Sequence, residues 1–272
     1  MEQSGRSAAV LGKSLYSTED LREIIAILRA PGGCPWDAEQ THLSIKKNFI
    51  EETYEVVEAL NLGDDALLCE ELGDVLLQVA LHCEIAGERG AFGWDQVTDG
   101  ICRKLIERHP HVFAQTQVEG VENVLRNWDA IKRRSKGQGT VTSAMEHIPH
   151  ELPALMRSTK LQQKAARAGF DWPDVSGALE RLAEEVEELR QAVAEGAPAH
   201  CREELGDVLF SAVNVSRFLP DCDAEEALGE SSEKFLRRFA AVERMALAQG
   251  LDMKAAPPEE LDRLWAIAKE DS

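Results

Sequence analysis

Eight acidic residues in this sequence fall into two sets that share one spacing. Glu52 and Glu55 are followed, after fifteen intervening residues, by Glu71 and Asp74. Glu185 and Glu188 are followed at the same interval by Glu204 and Asp207. Residues three apart on a helix project from one face, so each set predicts two carboxylate pairs on two helices. The first pair flanks the apolar row Phe49, Thr53, Val56 and Leu60, and the second flanks Leu68, Leu72, Val75 and Val79. The acids therefore border the buried stripe of each helix. Four carboxylates converging there repel one another, and desolvating an unpaired charge costs several kcal/mol per ion even after relaxation. Hard divalent cations neutralise such groups, and magnesium in particular takes one or two carboxylates together with substrate phosphates. A single acidic pair three apart is usually a solvated face. Two complete sets with identical internal spacing argue for metal ligands instead.

The elements that must position these acids are helical and repeated. A shift of 133 positions carries Glu52, Glu55, Glu71 and Asp74 onto Glu185, Glu188, Glu204 and Asp207, and the apolar row Phe49, Val56, Leu60 onto Leu182, Leu189, Val193. The heptapeptide EELGDVL occurs at both 70–76 and 203–209. With small changes of offset, Lys104 and Arg108 match Lys234 and Arg238, and Trp128 matches Trp265. Such an internal repeat fixes the organisation before any fold is assigned. Segments such as NFIEETYEVVEAL and LLCEELGDVLLQVALHCEIA have apolar residues at helical spacing, and no run alternates as a strand would. The expected architecture is all-α, two tandem bundles of four to five helices each. Residues 1–17 read as a flexible tail, 18–134 as the first domain, 135–143 as a polar linker, and 144–272 as the second domain. The short NLGDDA turn makes the two acid-bearing helices antiparallel neighbours. Gly73 and Gly206 each stand inside a helix between a Glu and the Asp. A helix-interior glycine costs roughly 1 kcal/mol relative to alanine, which predicts close approach of a helix or ligand there.

Composition narrows the function classes. The 272 residues carry a formal net charge of −19, which argues against nucleic acid or anionic lipid as partner, since both need a basic face. An anionic small molecule is compatible with that charge only if bound cations reverse the local field. The six cysteines form no CxxC pair, so they read as reduced thiols in a cytoplasm. The segment GRSAAVLGKS ends like a phosphate-binding loop, but six residues separate Gly5 from Gly12 where that loop has four.

The two sets, as EETYE…EELGD and EEVEE…EELGD, resemble the MazG-type nucleoside triphosphate pyrophosphohydrolases of the all-α nucleotide pyrophosphatase superfamily. The likeness extends to GCPWDAEQT, RHPHVF, LPALMR and GFDW and so spans nearly the whole chain. It implies a magnesium-dependent hydrolase, with manganese as a substitute. The products would be a nucleoside monophosphate and pyrophosphate, and the assembly a homodimer. It assigns metal binding to Glu185, Glu188, Glu204 and Asp207, and to Glu52, Glu55, Glu71 and Asp74. Lys234, Arg238 and Arg181 would lie near the nucleotide and Trp265 beside its base or ribose, with Lys104, Arg108 and Trp128 as the first copy's counterparts. Glu185 or Glu184 would deprotonate the attacking water. The chain departs from the family in having His200, Cys201 and Arg202 where some members carry a lysine, which puts one triphosphate contact in doubt. The rival expectation is a regulatory or scaffolding helical protein that binds nucleotide with little turnover.

Overall fold

A computed structural model of the chain describes residues 2–114, 120, 124, 128, 131 and 140–270. Among these residues the regular structure is entirely helical, and the chain divides into two compact units, Met1–Ile131 and Lys132–Ser272. The first unit contains α1 (Glu2–Val10), α2 (Thr18–Arg29), α3 (Pro35–Glu39), α4 (Lys46–Leu62), α5 (Asp65–Glu88), α6 (Trp94–Arg108) and α7 (Pro110–Phe113). The second contains α8 (Val141–Glu146), α9 (Ala154–Arg167), α10 (Val175–Glu195), α11 (Pro198–Ser216), α12 (Ala224–Ala248) and α13 (Pro258–Glu270).

In each unit the dominant packing is a helical hairpin, α4 on α5 and α10 on α11. The local chemistry of the junctions explains it. Gly63 ends α4 in the left-handed conformation at φ 65°, and the Asp64 side chain accepts from the Ala66 and Leu67 N–H groups to start α5. Glycine enters that conformation without the steric cost a Cβ imposes, and the aspartate satisfies donors that the new helix leaves unpaired. Gly196 ends α10 at φ 67°, and Pro198 opens α11, where its missing N–H is not needed. Buried alanines, Ala59 on α4 and Ala178 and Ala192 on α10, are fully enclosed.

Around the first hairpin the core is Ile25, Ile45, Ala80, Leu81 and Ile85, with Leu21, Leu77 and Trp94 against it. Arg29 is buried and pairs with Glu88 through both nitrogens, Nε to Oε1 at 2.7 Å and Nη2 to Oε2 at 2.9 Å, while its Nη1 donates to the Asp37 and Gln40 carbonyls. That fork ties α2, α3 and α5 together, and the bond to Arg29 holds the Glu88 carboxyl below the usual carboxylate range. In the second unit Val242, Ala246, Leu264 and Ala268 form a core between α12 and α13, with Trp265 packed against it. Gly177 accommodates the Trp172 ring, since a Cβ there would come within 2.8 Å of Trp172 Cε3.

Two expectations are corrected. The segment 1–17 is not simply a tail. Helix α1 packs on α2, and Arg6 Nε lies 2.6 Å from Glu23 Oε1. The contact includes an ion pair, and ion pairs leave no periodic trace in one strand of sequence. The polar linker is shorter than 135–143, because Thr140 caps α8 by accepting from the Ser143 N–H, and Val141 to Ser143 are already helical. Residues 135–139 lie outside the described residues.

His42 and His82 face each other with Nδ1 atoms 2.7 Å apart and rings stacked 5.0 Å between centroids. One nitrogen must donate and the other accept, so the pair tolerates only one proton between them. Burial, and secondly His42, hold the His82 imidazole below the ordinary histidine range. Folding therefore favours the neutral ring. Its contribution is present above the unfolded value of about 6.5 and is lost as pH falls through the lower folded value. The urea midpoint should drop between pH 7.5 and 5.5, and His82→Gln, which can still hydrogen-bond but does not titrate, should remove part of that drop. An unchanged pH dependence in the variant would exclude this pair as its source.

Candidate active site

The α4–α5 hairpin brings Glu52, Glu55 and Glu71 together, with one oxygen from each within 4.8 Å of the others. The α10–α11 hairpin does the same with Glu185, Glu188 and Glu204. The fourth acid of each set stands near enough for its charge to be felt. Asp74 acts on Glu52 and Glu71, and Asp207 on Glu185.

In the first unit the crowding is poorly compensated. Desolvation, then a hydrogen bond that protonated Glu52 donates to Glu55 and the charges of Asp74 and Glu55, raise the Glu52 carboxyl above its ordinary value. The Gln78 amide opposes this, its Nε2 donating to Glu52 Oε1 at 3.4 Å. Glu71 is raised by desolvation and by the charges of Glu55, Asp74, Glu70 and Glu58.

In the second unit a cation enters the cluster. Arg181 Nη2 lies 2.6 Å from Glu185 Oε1, and Nη1 lies 2.9 Å from Glu184 and 3.9 Å from Glu188. Burial still pushes Glu185 up, and Arg181 opposes it against Asp207 and Glu188. Glu185 and Glu204 are only 4% and 8% exposed, and the Oε2 atom of each is buried with no hydrogen-bond partner. A buried carboxylate oxygen without a partner is costly unless a ligand completes it. The donor set is oxygen only and suits a hard divalent cation.

The remaining residues singled out in the sequence fall outside these hairpins. Lys234 and Arg238 lie in the middle of α12, a continuous 25-residue helix, whereas Lys104 and Arg108 lie at the end of α6, which stops at His109. Trp265 packs on Phe235, ring centroids 5.4 Å apart, one residue along from Lys234. Arg108 lies over the Trp128 ring at 5.2 Å. Gly73 and Gly206 have open space where a Cβ would stand, so no helix among the described residues packs closely on them, contrary to half of the expectation from their recurrence. Gln78 was not legible as part of the site, because a glutamine one turn beyond Asp74 has no distinguishing spacing.

Comparison with known proteins accords with this geometry. The pattern of the MazG nucleotide pyrophosphohydrolase domain matches residues 40–113 and again 174–242, the two stretches that hold the acid-bearing hairpins. The chain is 43% identical over 251 residues to a Thermotoga maritima protein named nucleoside triphosphate pyrophosphohydrolase/pyrophosphatase MazG, covering 92% of this chain and 95% of that one. It is 42% identical over 254 residues to the Escherichia coli K12 nucleoside triphosphate pyrophosphohydrolase, with the same two coverages. The Bacillus subtilis protein YabN is 45% identical over 250 residues, which are 92% of this chain and 51% of YabN. The chain is an all-α protein with two tandem acid-bearing units. It belongs to the MazG nucleotide pyrophosphohydrolase family.

The two hairpins should respond differently to loss of one charge in metal-free protein. Glu52→Gln removes a desolvated charge crowded by Glu55 and Asp74 and should raise the melting temperature by about 1–3 °C. Glu185→Gln also removes the partner of Arg181 and should leave it unchanged or lower. Calorimetry in chelator checks this, and equal shifts would show that Arg181 does not relieve the second cluster.

Proposed function

We propose that the protein hydrolyses nucleoside triphosphates to the monophosphate and pyrophosphate at acid clusters that hold Mg2+, with Mn2+ as a substitute. The observation that carries this reading is that Glu185 and Glu204, each with a buried oxygen that has no hydrogen-bond partner, belong with Glu188 to a cluster in which one oxygen of each lies within 4.8 Å of the others. The names of the Thermotoga and Escherichia relatives support the reaction. Glu185, Glu188, Glu204 and Asp207 would hold the metal in the second unit, and Glu52, Glu55, Glu71 and Asp74 in the first. A bound divalent cation would offset the charge that accumulates on the departing pyrophosphate.

The chain's own groups supply the rest. Lys234 and Arg238, four apart on one face of α12, would bind the phosphate chain, with Arg181 as a further cation beside the acids. Trp265 would lie beside the base or ribose. Lys104, Arg108 and Trp128 would be the first unit's equivalents. Water attacks the α-phosphorus, the bond from that phosphorus to the bridging oxygen breaks, and pyrophosphate leaves. The water's proton passes to Glu185 or Glu184. Burial raises the Glu185 carboxyl above its ordinary value, which makes it a stronger base than an ordinary carboxylate.

The second unit would carry most of the turnover. It has Arg181 where the 133-residue shift places Asn48 in the first, and its basic pair is held in mid-helix, where rotamers are better fixed. Activity should vanish in excess chelator and return with magnesium or manganese. Glu204→Ala should lower kcat about 100-fold or more, and Glu71→Ala should cost far less. Orthophosphate and the diphosphate as first products would reject the reading, as would undiminished turnover in chelator. The reverse order of the two variants would place the working site in the first unit.

Homodimerisation belongs to the same proposal. Tyr54, Val57 and Leu60 on α4, Leu205 and Leu209 on α11, and Phe235, Leu236 and Phe239 on α12 are all exposed. Apolar faces of this extent on a single protomer mark an association surface. Sedimentation should give twice the chain mass, and a clean 30.1 kDa species at working concentration would contradict it.

A further inference from the structure

The two buried carboxylates of the second unit are held in the same way. Glu185 Oε1 lies 2.6 Å from Arg181 Nη2, and Glu204 Oε1 lies 3.1 Å from His200 Nε2. In both cases the base stands one turn N-terminal to the acid on its own helix. In both cases the other oxygen, Oε2, is buried and has no partner. His200 is fixed in turn, because its Nδ1 lies 3.4 Å from Glu195 Oε2. Glu195 is the last residue of α10, and Glu204 is on α11. The imidazole thus bridges the two arms of the hairpin close to its turn. Shifting by 133 positions places Leu67 where His200 stands and Asn48 where Arg181 stands. A leucine cannot orient Glu71, so the first unit lacks this device.

We propose that His200 is a positioning residue for Glu204. It pins Oε1 through Nε2, Glu195 holds the ring at Nδ1, and the buried Oε2 is left without a partner and so available to a divalent cation. The inference rests on the metal reading given above and names how one of its ligands is aimed. Ordering a glutamate side chain loses rotamer entropy. Here that loss falls at folding rather than at ion binding, and a pre-oriented ligand binds its ion more tightly. Both ring nitrogens face carboxylates, so a phosphate bound to a ring nitrogen of His200 would compete with Glu195 or Glu204. That distinguishes a positioning role from direct substrate contact, the role a lysine at this position would suggest.

The test uses the full chain carrying Glu52→Gln and Glu71→Gln, so that the second unit's cluster dominates, with free Mn2+ counted by its electron paramagnetic resonance signal. His200→Leu, which copies the first unit, should weaken Mn2+ binding about 10- to 100-fold. His200→Gln, whose amide can still donate to Glu204, should recover most of that loss. At saturating Mn2+ the KM for a nucleoside triphosphate should hardly move. Glu195→Gln, which leaves α11 untouched, should weaken Mn2+ in the same direction by a smaller factor, and it keeps the question open to test if His200→Leu does not fold. Unchanged Mn2+ affinity in the His200 and Glu195 variants overturns the inference. So does a raised KM with intact Mn2+ affinity, which would make His200 a substrate contact. A parent protein that binds no Mn2+ overturns the metal reading itself, and this inference with it.

Discussion

Three carboxylates with oxygens within 4.8 Å of one another, carried on two adjacent helices, are the constraint that each hairpin has to satisfy. In water such charges would stay apart. At the rim of a packed interface they are partly desolvated, and burial is the first cause of the raised values at Glu52, Glu71 and Glu185. The surrounding chain makes matters worse, because 49 acidic residues face 30 basic ones. Relief has to be local. It comes from an amide in the first unit, Gln78, and from a guanidinium and an imidazole in the second, Arg181 and His200. None of these satisfies both oxygens of Glu185 or Glu204, and the acid clusters could hold a metal ion that makes up the deficit.

Holding the acids in place against their repulsion is the task of the hairpin. Gly63 with Asp64, and Gly196 with Pro198, turn the chain within one or two residues and set the antiparallel register. Small residues, Ala59, Ala178 and Ala192, are buried to zero exposure on the α4 and α10 arms. The supporting elements brace these arms from outside the clusters. In the first unit the Arg29–Glu88 fork and the His42–His82 contact fasten α2, α3 and the segment after it to the far half of α5, beyond the acids. The register follows from the same contacts, with Phe49 beside His82 and Glu52 beside Gln78. The polar face of α5 therefore runs without interruption from Glu71 through Asp74 and Gln78 to His82.

The fold class and the two acid clusters were legible because helical period and duplication are written in one dimension. Glu52, Glu55 and Glu71 announce themselves by spacing, and a shift of the whole set tests the spacing against itself. What failed to show was anything that depends on a partner distant in sequence. The docking of α1 rests in part on Arg6 reaching Glu23, and the first hairpin's brace rests on Arg29 reaching Glu88 and His42 reaching His82. No period links such residues. The boundary after 135 was blurred for a different reason. Thr140 is at once a polar linker residue and a helix cap, and composition alone favours the first role. Gly73 and Gly206 were read as marking a close approach, yet the space beside each is open. Among the described residues their cost has no packing return.

The comparison of the two units separates what the acids need from what surrounds them. Each keeps four acids at the same spacing, and both bury small residues along the hairpin. They differ in the residue one turn before the first and third acids, where Asn48 and Leu67 face Arg181 and His200. A single substitution of that kind leaves the helix and its packing intact while changing how a carboxylate is aimed and how much of its charge is already offset. On the proposed metal reading, loss of an acid would remove a ligand, whereas loss of the base before it would leave the ligand present but free to turn and so lower affinity without abolishing it. On that reading, two copies of one hairpin would share their metal chemistry and differ in rate through the neighbours of the ligands rather than through the ligands themselves.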